Sequence, residues 1–255
     1  SRAGAQTPFS SINYGTDTSP EGRMAIRNVL LAEDAGLGHG ETPIFPIHIF
    51  KVKEGVNYNE SDPNYDLFQL SMKVSAKRLF PNYVFLDAPF NLQYYKPGHP
   101  ETEVATMGCR TRVMGNVYDP TRQISYSRGN LSFTSINLPR LAIESNHDEK
   151  LFYQKLDKMM ELVAQQLLDR FEIQASKRVY NYPFLMGQGV WLDSEKLGPN
   201  DEVREVLKHG TLSIGFIGLA ETLTALYGHH HGESDEMEKK GLEIIGHMRQ
   251  FCDAK

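Results

Sequence analysis

Cys109 stands in the stretch Ala105-Thr106-Met107-Gly108-Cys109-Arg110-Thr111, and Cys252 is the only other cysteine of the 255 residues. Structural cysteines usually sit among apolar neighbours, whereas thiols that do chemistry sit in polar, tight-turning surroundings. On that ground alone a reactive and an inert thiol are both open. Asn130 follows 21 residues later in Arg128-Gly129-Asn130. Its amide can donate and accept without changing charge, or it can be an ordinary turn residue. Met107 offers an oxidisable thioether beside Cys109, or plain packing.

The run Thr211-Leu212-Ser213-Ile214-Gly215-Phe216-Ile217-Gly218 carries two hydroxyls and two glycines. As a strand-to-helix turn it would aim free N–H groups and the positive end of a helix dipole at one spot, which suits phosphate. It has no Gly-Lys-Ser/Thr and is not a P-loop. Ser1–Thr7 contains an arginine, small residues and the amide of Gln6, and reads as a loop or as a frayed end. Three consecutive histidines, His229 to His231, do not converge easily on one tetrahedral ion, so a solvated loop between helices is expected. Cys252 shares a helical face with Leu242, Ile245 and Met248 and reads as a packed small hydrophobe; His48 reads as a satisfied core histidine.

These residues need a scaffold, and the chain alternates strand and helix. Ser19-Pro20-Glu21 has the cap, the proline and the acid of a helix start, opening a helix over Met24–Ala32. Ile44–Phe50 reads as a buried strand, Asn64–Leu79 as a helix ending at Pro81, and Tyr83–Leu86 as a second buried strand. Residues 87 to 130 are rich in Pro, Gly and Tyr and predict loops with short strands. Leu131–Ile136 is a strand stopped near Pro139. Asp148 caps a helix whose core stripe is Phe152, Leu156, Met159, Val163, Leu167 and Phe171. Thr211–Phe216 is a strand broken by Gly215 and Gly218 into the helix Leu219–Leu226, and Asp235–Cys252 is a last amphipathic helix. Such alternation implies parallel pairing in a barrel or doubly wound sheet, with ligands at the carboxyl ends of the strands. No repeat or linker interrupts it, so residues 1–255 are expected to form a single α/β domain.

Hydrophobic residues make up 40%, charged residues 23%, and the net charge is −5. That is the composition of a soluble globular chain without an electrostatic footprint for nucleic acid. Two cysteines make no disulfide framework, the apolar runs are too short to span a membrane, and no signal peptide is recognisable. A reducing, cytoplasmic setting is expected.

Four segments in order, Ser1–Phe9, Met107–Thr111, Gly129–Arg140 and Thr211–Glu221, closely resemble the class III anaerobic ribonucleoside-triphosphate reductases, a family of glycyl radical enzymes. The resemblance implies a ten-stranded α/β barrel with a radical site inside. It implies that Cys109 passes its hydrogen to a stored glycyl radical and then takes the 3′-hydrogen of a ribose. Asn130 would face the ribose hydroxyls, and Met107 would lie near formate, the implied reductant. Thr211, Ser213, Ile214 and Gly215 would hold the substrate triphosphate, with Gln6 in a loop between the effector nucleotide and the substrate base. Ribonucleoside triphosphates, nucleotide effectors, an activating enzyme using S-adenosylmethionine and an iron–sulfur cluster, and a second copy in a homodimer are the implied partners. The family's glycyl radical segment, zinc knuckles and ATP-binding cone are not among these residues, so the chain is expected to be an internal segment that is inactive alone, its glycine and zinc lying elsewhere. A non-catalytic nucleotide-binding or regulatory module and a glycyl radical lyase are the alternatives. The single cysteine where lyases of the pyruvate formate-lyase type carry two argues against the latter.

Overall fold

The computed structural model describes residues 10–108 and 111–255. The chain divides into two compact units, Ser1–Gly129 and Asn130–Lys255.

In the first unit β1 (Ser11–Tyr14), β2 (Ile47–Val52) and β3 (Asn82–Phe85) form a parallel sheet in that order. Two helices make the crossovers. α1 (Pro20–Ala35) begins where the Ser19 hydroxyl accepts from Gly22 N at 3.0 Å, with Pro20 in the first turn where no N–H is missed. α2 (Tyr65–Arg78) ends at Leu79 in the left-handed region. Ile26, Leu30, Leu67 and Val74 of these helices pack on Phe50 and Val52. Side chains alternate along a strand, so the register puts Ser11, Asn13, Ile47, Ile49, Lys51, Asn82 and Val84 on the opposite face. The strand expected at Ile44 begins at Ile47: Pro46 has no N–H to give the ladder, and Ile44 is exposed. His48 is the expected core histidine, its Nδ1 3.1 Å from the Tyr14 hydroxyl and its Nε2 3.5 Å from Glu33 Oε2. After the short helix α3 (Pro89–Leu92), β4 (Ala105–Met107) and β5 (Thr111–Val113) pair antiparallel.

The second unit is built on a parallel pair, β6 (Asn130–Asn137) and β7 (Thr211–Ile217), with a bulge between Asn130 and Ser132. Between them run α4 (Leu138–Ile143), α5 (Glu149–Ala175) and α6 (Arg204–Leu207); α7 (Leu219–Tyr227) and α8 (Asp235–Asp253) follow β7. Asp148 caps α5 as expected, its carboxylate accepting from Leu151 N at 2.9 Å. The core collects Ile136, Leu138, Phe152, Leu156, Met160, Val163, Leu167, Leu223, Ile244 and Met248. A second cluster around Trp191 takes in Val179, Met186, Val206 and the edge of Phe171. Met160 rather than Met159 lies fully buried in the α5 stripe.

Two further expectations are corrected. Pro139 does not merely stop β6; it sits in the first turn of α4, which Asn137 caps by accepting from Arg140 N. Cys252 is exposed rather than packed. The buried face of α8 runs through Met237, Gly241, Ile244 and Met248, which turns Leu242 outward at 65% exposure. A strand over residues 11–14 was not expected at all.

Candidate active site

Asn130 and Thr211 open β6 and β7 and are register partners, so both side chains lie on one face. The Thr211 hydroxyl donates to Asn130 Oδ1, and the Ser213 hydroxyl lies 3.5 Å from the same oxygen. Two hydroxyls distant in sequence thus gather around one amide. No hydrogen bond among the described residues takes up Asn130 Nδ2, which is left to donate outward. Phe133, Ser135, Asn137 and Ile217 continue this face, and the helices of the unit pack on the other one: Leu212 and Ile214 pack into the core there.

Ile214 can therefore offer a ligand only its backbone, its side chain being committed to packing. Gly215 lies on the open face opposite Ser135, and a Cβ there would stand 2.8 Å from Ser135 Oγ. Gly218, at the far end of β7, has φ +74° and would bring a Cβ within 2.3 Å of Pro139 Cγ. Only glycine meets both demands. The hydroxyls and Gly218 thus lie at opposite ends of β7 and do not form one turn. The start of α7 also carries Glu221 in its first turn, an acid that already answers the helix dipole. Asn130 and Thr211 stand at the amino ends of their strands, not beyond the carboxyl ends where alternating folds usually collect ligands.

In the first unit Met107 ends β4, half-buried, and pairs with Thr111. Gly108 has φ +56° with open space around its Cβ position. It is a backbone turn that glycine adopts without strain, at the residue before Cys109. Cys109 and Gln6 lie outside the described residues, as does the expectation that Cys109 and Asn130 face one cavity. Two residues that sequence reasoning missed hold this strand. Asn13 bonds Thr106 three times, and Ser11 Oγ accepts from Gly108 N at 3.2 Å. A cleft of about 330 Å³ lies beside them, lined by Ile49, Asn82, Phe90, Thr106 and Arg112. The Arg112 guanidinium lies 4.9 Å from the Phe90 ring centroid and donates to Asn91 Oδ1 at 2.9 Å.

The three histidines occupy the exposed loop between α7 and α8, where His229 and His230 both lean on Glu233. Among the described residues no group of three or more His, Cys, Asp or Glu is placed to hold a metal ion. None of the described helices is long and apolar enough to cross a membrane.

A family profile described as anaerobic ribonucleoside-triphosphate reductase matches residues 1–255. The protein of that name from Escherichia coli (strain K12) is 32% identical over 255 residues, covering 98% of this chain and 35% of its own length. Its namesake from Enterobacteria phage T4 is 32% identical over 255 residues, covering 97% of this chain and 40% of itself. The chain thus spans well under half the length of these relatives. Among solved structures, the anaerobic ribonucleotide reductase from Thermotoga maritima with citrate in the active site is similar in fold, with a TM-score of 0.58 at 15% identity. That match covers 98% of this chain and 44% of the other.

Proposed function

The chain belongs to the anaerobic ribonucleoside-triphosphate reductase family, and from that premise we propose that it forms part of the catalytic barrel of an oxidoreductase making deoxyribonucleoside triphosphates from ribonucleoside triphosphates. Both units belong, in this reading, to one domain of the ten-stranded type, and the protein works in the cytoplasm. The observation that carries the reading is the gathering of Asn130, Thr211 and Ser213 on an open strand face in a chain matched by the family along its whole length.

Cys109 is the group that exchanges hydrogen. Its S–H bond is close in strength to the C–H bonds on either side of the exchange, so hydrogen can pass to a glycine-centred radical and return from ribose C3′. That radical, stored outside these residues and installed by an S-adenosylmethionine-dependent activating enzyme, supplies the unpaired electron. Gly108 lets the backbone turn directly before the sulfur. Asn130, its Oδ1 already accepting from Thr211, turns Nδ2 toward the ribose hydroxyls. Thr211, Ser213, the backbone of Ile214 and Gly215 line the substrate's polar side, and Gln6 belongs to the loop that reports the effector nucleotide. Formate, beside Met107, is the reductant. The zinc of the complete protein is held by residues other than these. The complete protein acts as a homodimer.

The test is Cys109→Ser in the complete protein. The O–H bond is too strong for reversible exchange, while the swap changes one atom. The glycyl radical signal in electron paramagnetic resonance is expected to persist while deoxyribonucleotide formation is abolished. Substantial reduction by this variant would place the thiyl at another residue.

A further inference from the structure

A three-residue antiparallel pair such as β4–β5 fixes little by itself. What fixes it is β1. Asn13 stands on the sheet face away from α1 and α2 and spends its whole carboxamide on one residue. Asn13 Nδ2 donates to the Thr106 carbonyl at 2.9 Å, and Oδ1 accepts from Thr106 N at 3.2 Å and from Thr106 Oγ1 at 2.9 Å. The amide thus meets Thr106 as a neighbouring strand would, with one donor and one acceptor, and Thr106 is buried. Two positions earlier on the same face, Ser11 Oγ accepts from Gly108 N at 3.2 Å. β1 is anchored in turn by its ladder to β2, with Ser11 opposite Ile47 and Asn13 opposite Ile49. The segment 106–108 is therefore pinned at two points, the nearer one residue before Cys109.

We propose that Asn13 and Ser11 are positioning residues for the Cys109 thiol, setting its distance to the hydrogen it exchanges. This rests on the role given to Cys109 above. Misplacing a reacting group by about 1 Å can cost about 10²-fold in rate, and Asn13 is the larger of the two pins. An aspartate at 13 would keep the acceptor, lose the donor and bring a charge against the Thr106 carbonyl.

The experiment uses the complete protein, activated anaerobically, as Asn13→Ala, Asn13→Asp, Ser11→Ala and Ser11→Thr, with Cys109→Ser as control. For both Asn13 variants kcat is expected to fall between about 10- and 100-fold, with KM for the ribonucleotide and the glycyl radical amplitude near those of the parent. Ser11→Ala is expected to lose less, and Ser11→Thr, which keeps the hydroxyl, to recover it. The proposal is overturned if Asn13→Ala turns over like the parent, or if KM and radical content worsen in step with kcat, which is what general loosening would do. Should Asn13→Ala fail to fold, the Ser11 pair decides: Ser11→Ala slow and Ser11→Thr restored supports the pins, equal rates refute them. An active Cys109→Ser would instead bring down the reading of Cys109 itself. An inactive Cys109→Ser beside a normal Asn13→Ala would bring down the pins alone.

Discussion

Glu33 and His48 are buried between α1 and the sheet with the half-buried Tyr14 beside them, where charge is costly. Burial pushes the Glu33 carboxyl up, with Arg78 opposing it, pushes the His48 imidazole down, and pushes the Tyr14 hydroxyl up. Burial thus favours the uncharged form of both the histidine and the acid, and Glu33 Oε1 has no partner among the described residues. Glu33's stabilising contribution is complete below its ordinary value of 4.5 and is lost as pH rises through the raised folded value. His48's is present above its ordinary 6.5 and is lost as pH falls through the depressed one. Glu33→Gln, a neutral isostere, is accordingly expected to flatten the decline in urea midpoint as pH rises above 4.5, and matching pH profiles would refute this. Asn130 invites a second substitution: in the complete protein Asn130→Ala should leave the radical signal intact and slow nucleotide reduction by about tenfold or more, an oriented hydrogen bond being worth that much. A parent-like rate would remove Asn130 from the site. Of these residues the sequence showed Asn130 and His48, because a motif and a strand carried them. Asn13 and Ser11 stayed hidden, since their partners Thr106 and Gly108 lie 93 and 97 positions away and no local pattern announces such a bond.

The long helix α5 is where elements were most legible. Its cap and its stripe follow from 3.6-residue spacing, and only the choice between adjacent methionines went astray, which periodicity cannot decide. Asp148→Ala should cost about 1 kcal/mol and Leu156→Ala about 2–5 kcal/mol in urea denaturation, since the first loses one cap bond and the second leaves a cavity in the core. Gly218→Ala should cost more than the cap, because φ and Pro139 both oppose a Cβ; a smaller loss would mean that α4 yields. β1 and α4 were illegible for different reasons. Four residues with serine and asparagine on one face carry too short an alternation, and Asn137-Leu138-Pro139 reads as easily as a stop as it does as a helix start.

At the scale of the molecule, each unit has its own buried cluster, and parallel pairing recurs in both as alternation of strand and helix required. If both belong to one barrel domain, calorimetry of the 255-residue chain should show a single transition with matching van't Hoff and calorimetric enthalpies; two resolved transitions would make each unit a domain. In the reading proposed above the radical is stored outside these residues, so the same chain, supplied with activating enzyme, formate and substrate, should form no deoxyribonucleotide, and measurable turnover would contradict that. The pairing of Asn130 with Thr211 has a consequence for how such a chain can change. The two residues meet by register, across 81 positions, so loops between them can lengthen or shorten freely without disturbing the encounter. Inside β7 the arithmetic is stricter: one residue inserted between Thr211 and Leu212 would bring the leucine to the open face in place of Ser213, whereas two would return the serine to it. Descent in this segment is therefore expected to tolerate length changes by pairs and to reject them singly.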